Sequence, residues 1–203
     1  MTDTANGKTV FVAGGSKGIG RAVVIALAED GYNVSFSYRS SPEEAEQLQG
    51  SLQAKYPSQQ IESHQVDLSE REQVERFADT IATAEGLYGL VYNAGGSYDT
   101  LAALADQDKG EDLFRLNFWA LTRLAGAAAR PMMSTRSGRI ITIWSITANR
   151  GVSGYSIYAA TKGAMLSYIR TLAIELARKG VTANYVSPGY IDTDLMAPYA
   201  VYR

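Results

Sequence analysis

The chain has 203 residues, 46% of them hydrophobic and 20% charged, an ordinary soluble composition with enough length for one domain and a substantial core. A formal net charge of −2 and a pI near 5.5 give no electrostatic reason to expect a nucleic acid or an anionic membrane as partner. The absence of cysteine excludes disulfides, thiolate catalysis and cysteine metal sites, and the single histidine, His64, cannot build a histidine metal site.

Met1 to Lys8 lacks the apolar core of a signal peptide and no run reaches membrane-spanning length, so a cytoplasmic protein is the expectation. Thr9 to Ala13 reads as a short apolar strand running into Gly14-Gly15-Ser16-Lys17-Gly18-Ile19-Gly20. Arg21 to Asp30 then has a helical pattern that stops at Gly31. In a strand, glycine turn and helix of this kind, backbone N–H groups and the helix N-terminus can face a pyrophosphate, whereas Cβ atoms at the glycines would block its approach.

Asn33 to Tyr38 is predicted as the second strand. An NAD site usually carries an acid about twenty residues past the glycine turn to hold the ribose 2′-hydroxyl. Here the strand ends Tyr38-Arg39-Ser40-Ser41. Arg39 and Ser40, with Lys17, suit a 2′-phosphate, since guanidinium binds phosphate oxygens bidentately; a solvated basic loop is the alternative.

Pro42 to Tyr56 is a polar helix with proline in its first turn, and Ile61 to Val66 is a third strand in which His64 reads as half-exposed. Asp67-Leu68-Ser69 follows. Ser69 and Glu72 have capping-box spacing for a helix through Glu85, and Asp67 could accept from an adenine amino group or merely cap. Leu87 to Tyr92 is a fourth strand that breaks into Asn93-Ala94-Gly95-Gly96, small residues that allow a ribose to come close. Asp99 to Gly110 reads as loop and Glu111 to Met133 as one long helix containing Asn117. Asparagine is a mediocre helix former, so a buried one needs a partner and an exposed one needs no explanation.

The run Ile140 to Trp144 looks like a buried parallel strand whose carboxyl end, at Ser145, lies where open α/β sheets bind ligands. Met165, Ile169, Leu172, Ala173 and Leu176 recur at helical spacing, which predicts a helix from Ser156 to Lys179 with Tyr158 and Lys162 on one face of its first turns. A lysine ammonium near a phenol favours phenolate and would lower the tyrosine pKa from about 10 toward the range of a general acid. Hydroxyl, phenol and amine could then meet at one carbonyl; a surface lysine beside a core tyrosine is the alternative. Val181 to Ser187 is a sixth strand, closed by Pro188-Gly189-Tyr190-Ile191-Asp192-Thr193-Asp194. The alternation of strand and helix, without repeats or linkers, predicts a three-layer α/β/α, doubly wound parallel sheet of the Rossmann type in a single domain over residues 1–203.

Gly14-x3-Gly18-Ile19-Gly20, Asp67, Asn93-Ala94-Gly95, Asn117, Ser145, Tyr158-x3-Lys162 and Pro188-Gly189-x-Ile191-x-Thr193 together resemble the short-chain dehydrogenase/reductase family in order and spacing, over residues 8 to about 195. The wording is most similar to its 3-oxoacyl-[acyl-carrier-protein] reductases and related ketoreductases. The resemblance implies an NADPH-dependent reductase of a small carbonyl substrate, a 3-oxoacyl thioester on acyl carrier protein or coenzyme A. In that role Tyr158 donates the proton, Lys162 holds the nicotinamide ribose and tunes Tyr158, and Ser145 hydrogen-bonds the carbonyl. Asn117 anchors a water that connects Lys162 to solvent. It also implies that Gly14, Ser16, Lys17, Gly18, Ile19, Gly20, Arg39, Ser40, Asp67, Leu68, Asn93, Ala94, Gly95, Pro188 and Gly189 line the cofactor site, with Ile191 and Thr193 at the carboxamide. A homo-oligomer, dimer or tetramer, would form through the two long helices. A non-catalytic nucleotide-binding or partner subunit of the same fold is the competing reading.

Three departures stand out. Ala13 replaces a usual threonine, so some rigidity of the turn is expected to be lost. Tyr92 replaces the first asparagine of Asn-Asn-Ala-Gly, and Trp144 precedes the serine where a small residue is common, either shaping a pocket or packing. Family members also continue through a substrate-covering segment and a seventh strand beyond the point where Arg203 ends this sequence. Either the sequence is shortened or the covering segment and seventh strand are missing, and a tail mobile after Pro188, with nicotinamide-end contacts from Ile191 and Thr193 weak or absent without cofactor, is expected.

Overall fold

The computed structural model describes residues 5, 7–145, 150–189 and 191–193. Ile146 to Asn149, Tyr190 and the tail from Asp194 to Arg203, for which mobility is expected, lie outside the described residues. Among those described, strands β1 (Thr9–Ala13), β2 (Asn33–Tyr38), β3 (Ile61–Gln65), β4 (Leu87–Tyr92), β5 (Gly138–Ile143) and β6 (Val181–Val186) form one parallel sheet in the order β3-β2-β1-β4-β5-β6. Helices α1 (Gly18–Glu29), α2 (Pro42–Lys55), α3 (Arg71–Thr83), α4 (Gln107–Phe114), α5 (Ala120–Thr135) and α6 (Ser156–Ala177) alternate with the strands. This is the doubly wound α/β fold that the sequence predicts. No helix among the described residues is long and apolar enough to cross a membrane.

The central strands are apolar on both faces because both are covered. Val10, Val12, Val34 and Phe36 pack with Val24 and Ala28 of α1 and Leu48 and Leu52 of α2. On the other face, Leu90, Tyr92 and Ile140 pack with Phe77 and Ile81 of α3, Leu121 and Leu124 of α5, and Met165 and Ile169 of α6.

Two helix starts differ from expectation. Ser69 does not cap α3: its Oγ donates to Asp67 Oδ1 at 2.6 Å and its N–H to the same oxygen at 2.9 Å, and the helix starts at Arg71. A local side-chain turn has displaced the capping box. Nor does Asp99 to Gly110 form one loop, because Ala102–Leu104 is a single 3-10 turn and α4 begins at Gln107. Asp106 caps α4, accepting from Asp108 N at 3.0 Å and Lys109 N at 3.3 Å. Gly110 is a packing glycine, since a Cβ there would lie 3.2 Å from Ile157 Cδ1 of α6. The expected long helix is interrupted by a π-helical segment, Arg115–Trp119, where the N–H of Ala120 reaches back five residues to the carbonyl of Arg115. Such a bulge frequently marks a functional position, and Asn117 lies at its centre, fully buried.

The chain leaves β1 in one direction for β2 and β3, then crosses to β4 and continues the other way, which makes the carboxyl ends of β1 and β4 the switch-point crevice. The turns after both strands meet there. Asn93 Nδ2 donates to the Gly14 carbonyl at 2.8 Å, the Gly14 N–H donates to Ser37 Oγ at 3.1 Å, and Asn93 N–H donates to the Ala13 carbonyl at 3.1 Å. These bonds hold the turn where Ala13 offers no hydroxyl. A Cβ on Gly20 would lie 1.9 Å from the Gly14 carbonyl oxygen and 2.5 Å from Asn93 Nδ2. Gly20→Ala is therefore expected to push the Gly14 carbonyl away and break the Asn93 bond, lowering stability by about 1–3 kcal/mol. Urea unfolding measures this, and an unchanged midpoint would show that the turn has room to spare.

Candidate active site

Lys162 lies one turn after Tyr158 on α6, and its ammonium is 5.6 Å from the Tyr158 ring centroid. The lysine is only 5% exposed, so it is not a surface residue beside a core tyrosine. Gly95, after β4, provides the space: a Cβ there would lie 3.2 Å from Asn117 Oδ1 and 3.5 Å from Lys162 Nζ. Asn117 Oδ1 accepts from Gly96 N at 3.0 Å, while its Nδ2 donates to the Gly96 carbonyl at 3.2 Å and to Thr161 Oγ1 at 3.0 Å. Thr161 in turn donates to the Tyr158 carbonyl at 2.8 Å. The buried asparagine thus has its partners, and a continuous chain of bonds joins the end of β4 to the helix that carries Tyr158.

Ser145, just past β5, hydrogen-bonds the Tyr158 phenol, and Tyr155 packs edge-on against the same ring at 5.8 Å between centroids. The expected lowering of the Tyr158 pKa is not found. Burial raises it and the Asp99 carboxylate raises it further, with only the Ser145 bond acting in the other direction. Burial brings the pKa of Lys162 itself from 10.5 to about 8, so the lysine is already neutral where the phenol titrates and can act on a phenolate only at lower pH, where it is charged. Proximity was legible in the spacing; desolvation was not.

The glycine turn fits a dinucleotide pyrophosphate. Helix α1 starts at Gly18 with no side-chain cap and no acid in its first turn, leaving its first N–H groups for an anion. Gly14 and Gly18 adopt positive φ, +77° and +52°. Ser16 and Gly20 are buried and Ile19 half-buried at this turn. Lys17 forms an exposed ion pair with Glu44 at 3.1 Å, a contact worth at most about 1 kcal/mol, which a phosphate can displace. Arg39 and Ser40 are exposed at the end of β2. Burial pushes the Asp67 carboxyl up, but its Ser69 bonds and the charge of Arg39 outweigh this and hold it below the usual range. Leu68 is a core side chain, so only its main chain can meet a ligand.

Asn93, Ala94 and Gly95 line the crevice from β4, and a Cβ on Gly14 would lie 2.9 Å from Ala94 Cα. Beyond β6, Pro188 is half-buried while Gly189 and Ile191 are exposed. Thr193 Cγ2 would be 3.2 Å from a Cβ on Gly18. Thr193 therefore lies beside the glycine turn.

Sequence reasoning left four residues without a role here. Thr161 could have been suspected from its place three residues after Tyr158, where a helix hydroxyl can bond back to a carbonyl. Asp99 carried no signal. Trp144 is buried, packs edge-on against Tyr185 and donates through Nε1 to the Lys162 carbonyl at 2.5 Å, so it packs and does not line an open pocket. Tyr92 is buried and its hydroxyl donates to the Leu116 carbonyl.

A sequence profile of the short chain dehydrogenase family matches residues 8–200. The 3-oxoacyl-[acyl-carrier-protein] reductase FabG of Staphylococcus epidermidis is 32% identical over 191 residues, covering 93% of this chain and 77% of that protein. Among solved structures, a short-chain dehydrogenase from Sphingobium yanoikuyae in complex with NADPH superposes with a TM-score of 0.89 at 27% identity, covering 94% of this chain and 74% of the other. A short chain dehydrogenase from Burkholderia cenocepacia in complex with NADP gives 0.85 at 32% identity, with 95% and 78% covered.

The buried lysine makes a prediction about stability. Its folded pKa of about 8 lies below the unfolded value of 10.5, so the unfolded chain binds more protons between these values and stability rises with pH through that window. Below pH 8 the full cost is present, on the order of 3 kcal/mol from a shift of this size. Lys162→Met, which keeps the length and removes the charge, is expected to unfold at higher temperature than the parent at pH 7, with the gap narrowing toward pH 10. Calorimetry of both proteins without cofactor measures it; a gap independent of pH would show that the lysine is not desolvated.

Proposed function

The chain belongs to the short-chain dehydrogenase/reductase family of oxidoreductases, and from that membership we propose an NADPH-dependent ketoreductase that acts on a 3-oxoacyl thioester. The observation that carries the reading is the convergence of Ser145, Tyr158 and Lys162 beside a crevice lined by an uncapped helix N-terminus. The glycine turn and the crevice after β4 would hold NADPH, which would supply the hydride for the carbonyl carbon. The substrate oxygen takes the place at the Tyr158 phenol that Ser145 now shares, so that Ser145 donates to it while Tyr158 gives up its proton. With its pKa raised, Tyr158 holds that proton at neutral pH, and Lys162, protonated below about 8, stabilises the phenolate left behind. Asn117 Oδ1 accepts a single hydrogen bond, from Gly96 N, and keeps a second lone pair with which the side chain can hold a water for reprotonation in this reading.

The relatives named above support the substrate class and the phosphorylated cofactor. Arg39 and Lys17, with Ser40, supply the 2′-phosphate contacts in this reading. We further read the chain as a single cytoplasmic domain that forms a homo-oligomer. Trp119, 60% exposed before α5, and Ile174, 78% exposed on α6, are large apolar side chains on the two elements that would pair.

Tyr158→Phe keeps the ring and removes the proton donor, so reduction is expected to fall by about 10²–10⁴-fold with little change in NADPH affinity. NADPH oxidation against a carbonyl panel that includes 3-oxoacyl thioesters tests both the assignment and the substrate class; turnover retained by the variant would sink the acid role. The parent should bind NADPH at least about tenfold more tightly than NADH, one charge-assisted bond being sufficient, and Arg39→Asp should close most of that gap. Equal dissociation constants for the two cofactors in the parent would refute the 2′-phosphate site.

A further inference from the structure

Two aromatic side chains that stand outside the reacting groups each give a hydrogen bond to a main-chain carbonyl beside one. Trp144 sits between the end of β5 and Ser145. Its main-chain N–H donates to the Val186 carbonyl at 2.8 Å, and its indole Nε1 donates to the Lys162 carbonyl at 2.5 Å across the layer. The ring is buried and backed edge-on by Tyr185 at 5.6 Å. One residue thus ties β6, the strand end that carries Ser145, and the turn of α6 that carries Lys162.

Tyr92 closes β4 and is paired in register with Thr142 of β5, two residues before Trp144, so both aromatics rise from the same face of adjacent strands. Its hydroxyl donates to the carbonyl of Leu116, inside the π-helical segment and one residue before Asn117. Burial pushes this phenol above its ordinary range, which keeps it a donor at every working pH. From Asn117 the bonds continue through Thr161 to the Tyr158 carbonyl. The two struts therefore reach the main chain of α6 at both reacting residues, one directly and one through Asn117 and Thr161.

We infer that Trp144 and Tyr92 are positioning residues, whose buried donors fix the distance between Ser145 and the Tyr158–Lys162 face of α6. Neither touches the reacting atoms. The effect comes from geometry, since a shift of about 1 Å in a reacting group costs on the order of a hundredfold in rate. Its kinetic consequence rests on the ketoreductase reading, while its consequence for Lys162 does not.

The test removes each donor and keeps each shape. Tyr92→Phe deletes one hydroxyl, and Trp144→benzothienylalanine replaces the indole N–H with sulfur in a ring of nearly the same size. In both, kcat is expected to fall at least tenfold while KM and the NADPH dissociation constant stay within about threefold. The second readout needs no substrate: the titration of Lys162, followed by NMR of carbon-labelled lysine in the cofactor-free protein. Among the described residues, Tyr158 on the same helix, Tyr155 edge-on to its ring and Asp99 from the segment after β4 are the titratable groups at this site. The midpoint near 8 should move upward in each variant as a loosened helix admits water. If the parent reduces no carbonyl, the function assignment fails and the lysine midpoint still judges the struts. Parent-like kcat together with an unmoved midpoint in both folded variants would overturn the inference. So would loss of the fold in both, because the donors would then hold the scaffold and not the site.

Discussion

Lys162 carries its ammonium into a region nearly closed to water, and no carboxylate among the described residues offsets the resulting drop in its pKa. An unpaired buried charge is costly, so its surroundings must be organised enough to keep it from turning outward. Gly95 leaves the space, Asn117 forms one wall, and the indole of Trp144 holds the backbone of the lysine itself. Thr161, the preceding residue, locks the same turn through Asn117 and the Tyr158 carbonyl. The position of the lysine is thus imposed from the end of β4, the end of β5 and the π-helical segment together.

This convergence follows from the sheet order. Only at the point where the chain reverses its direction of growth do two adjacent strand ends leave a crevice, and here β1 supplies the glycine turn while β4 supplies Asn93, Ala94 and Gly95. The hydrogen bond from Asn93 to the Gly14 carbonyl joins the two turns, and Gly20 lets α1 approach close enough for that bond to exist. The uncapped N-terminal end of α1 and the buried lysine are therefore two sides of one cleft.

Much of this was legible in the chain. Apolar runs located β1, β4 and β5 to within two residues, because central strands covered on both faces need apolar sequence. Helix starts were harder: Ser69 has capping-box spacing, but Asp67 competes for it locally, and Gly110 looks like a loop residue until Ile157 is seen against it. The motif residues were found by their spacing, yet the direction of the Tyr158 pKa was misjudged, since spacing reports nearness and carries nothing about water. Tyr92 and Trp144 were visible as unusual residues. Their roles were not, because their acceptors lie 24 and 18 residues away in the chain and are main-chain carbonyls, which no residue identity reveals.

The energetics also bear on whether this member of an oxidoreductase family uses its site. A chain that kept the fold only to bind a nucleotide or a partner subunit would gain stability by replacing Lys162 with an apolar residue of similar length, because the desolvated ammonium opposes folding at neutral pH. It would have no need of a carboxylate near Tyr158, where Asp99 and burial together raise the phenol. Titratable groups perturbed by desolvation in a cleft mark a candidate functional site, and here Lys162 is shifted far while Tyr158 is shifted upward. The two groups, shifted in opposite directions by burial and held one helical turn apart, leave a phenol that keeps its proton at neutral pH and an ammonium able to stabilise the phenolate once that proton has gone. A purely structural use of the fold does not require that pairing, and proton transfer to a developing alkoxide does.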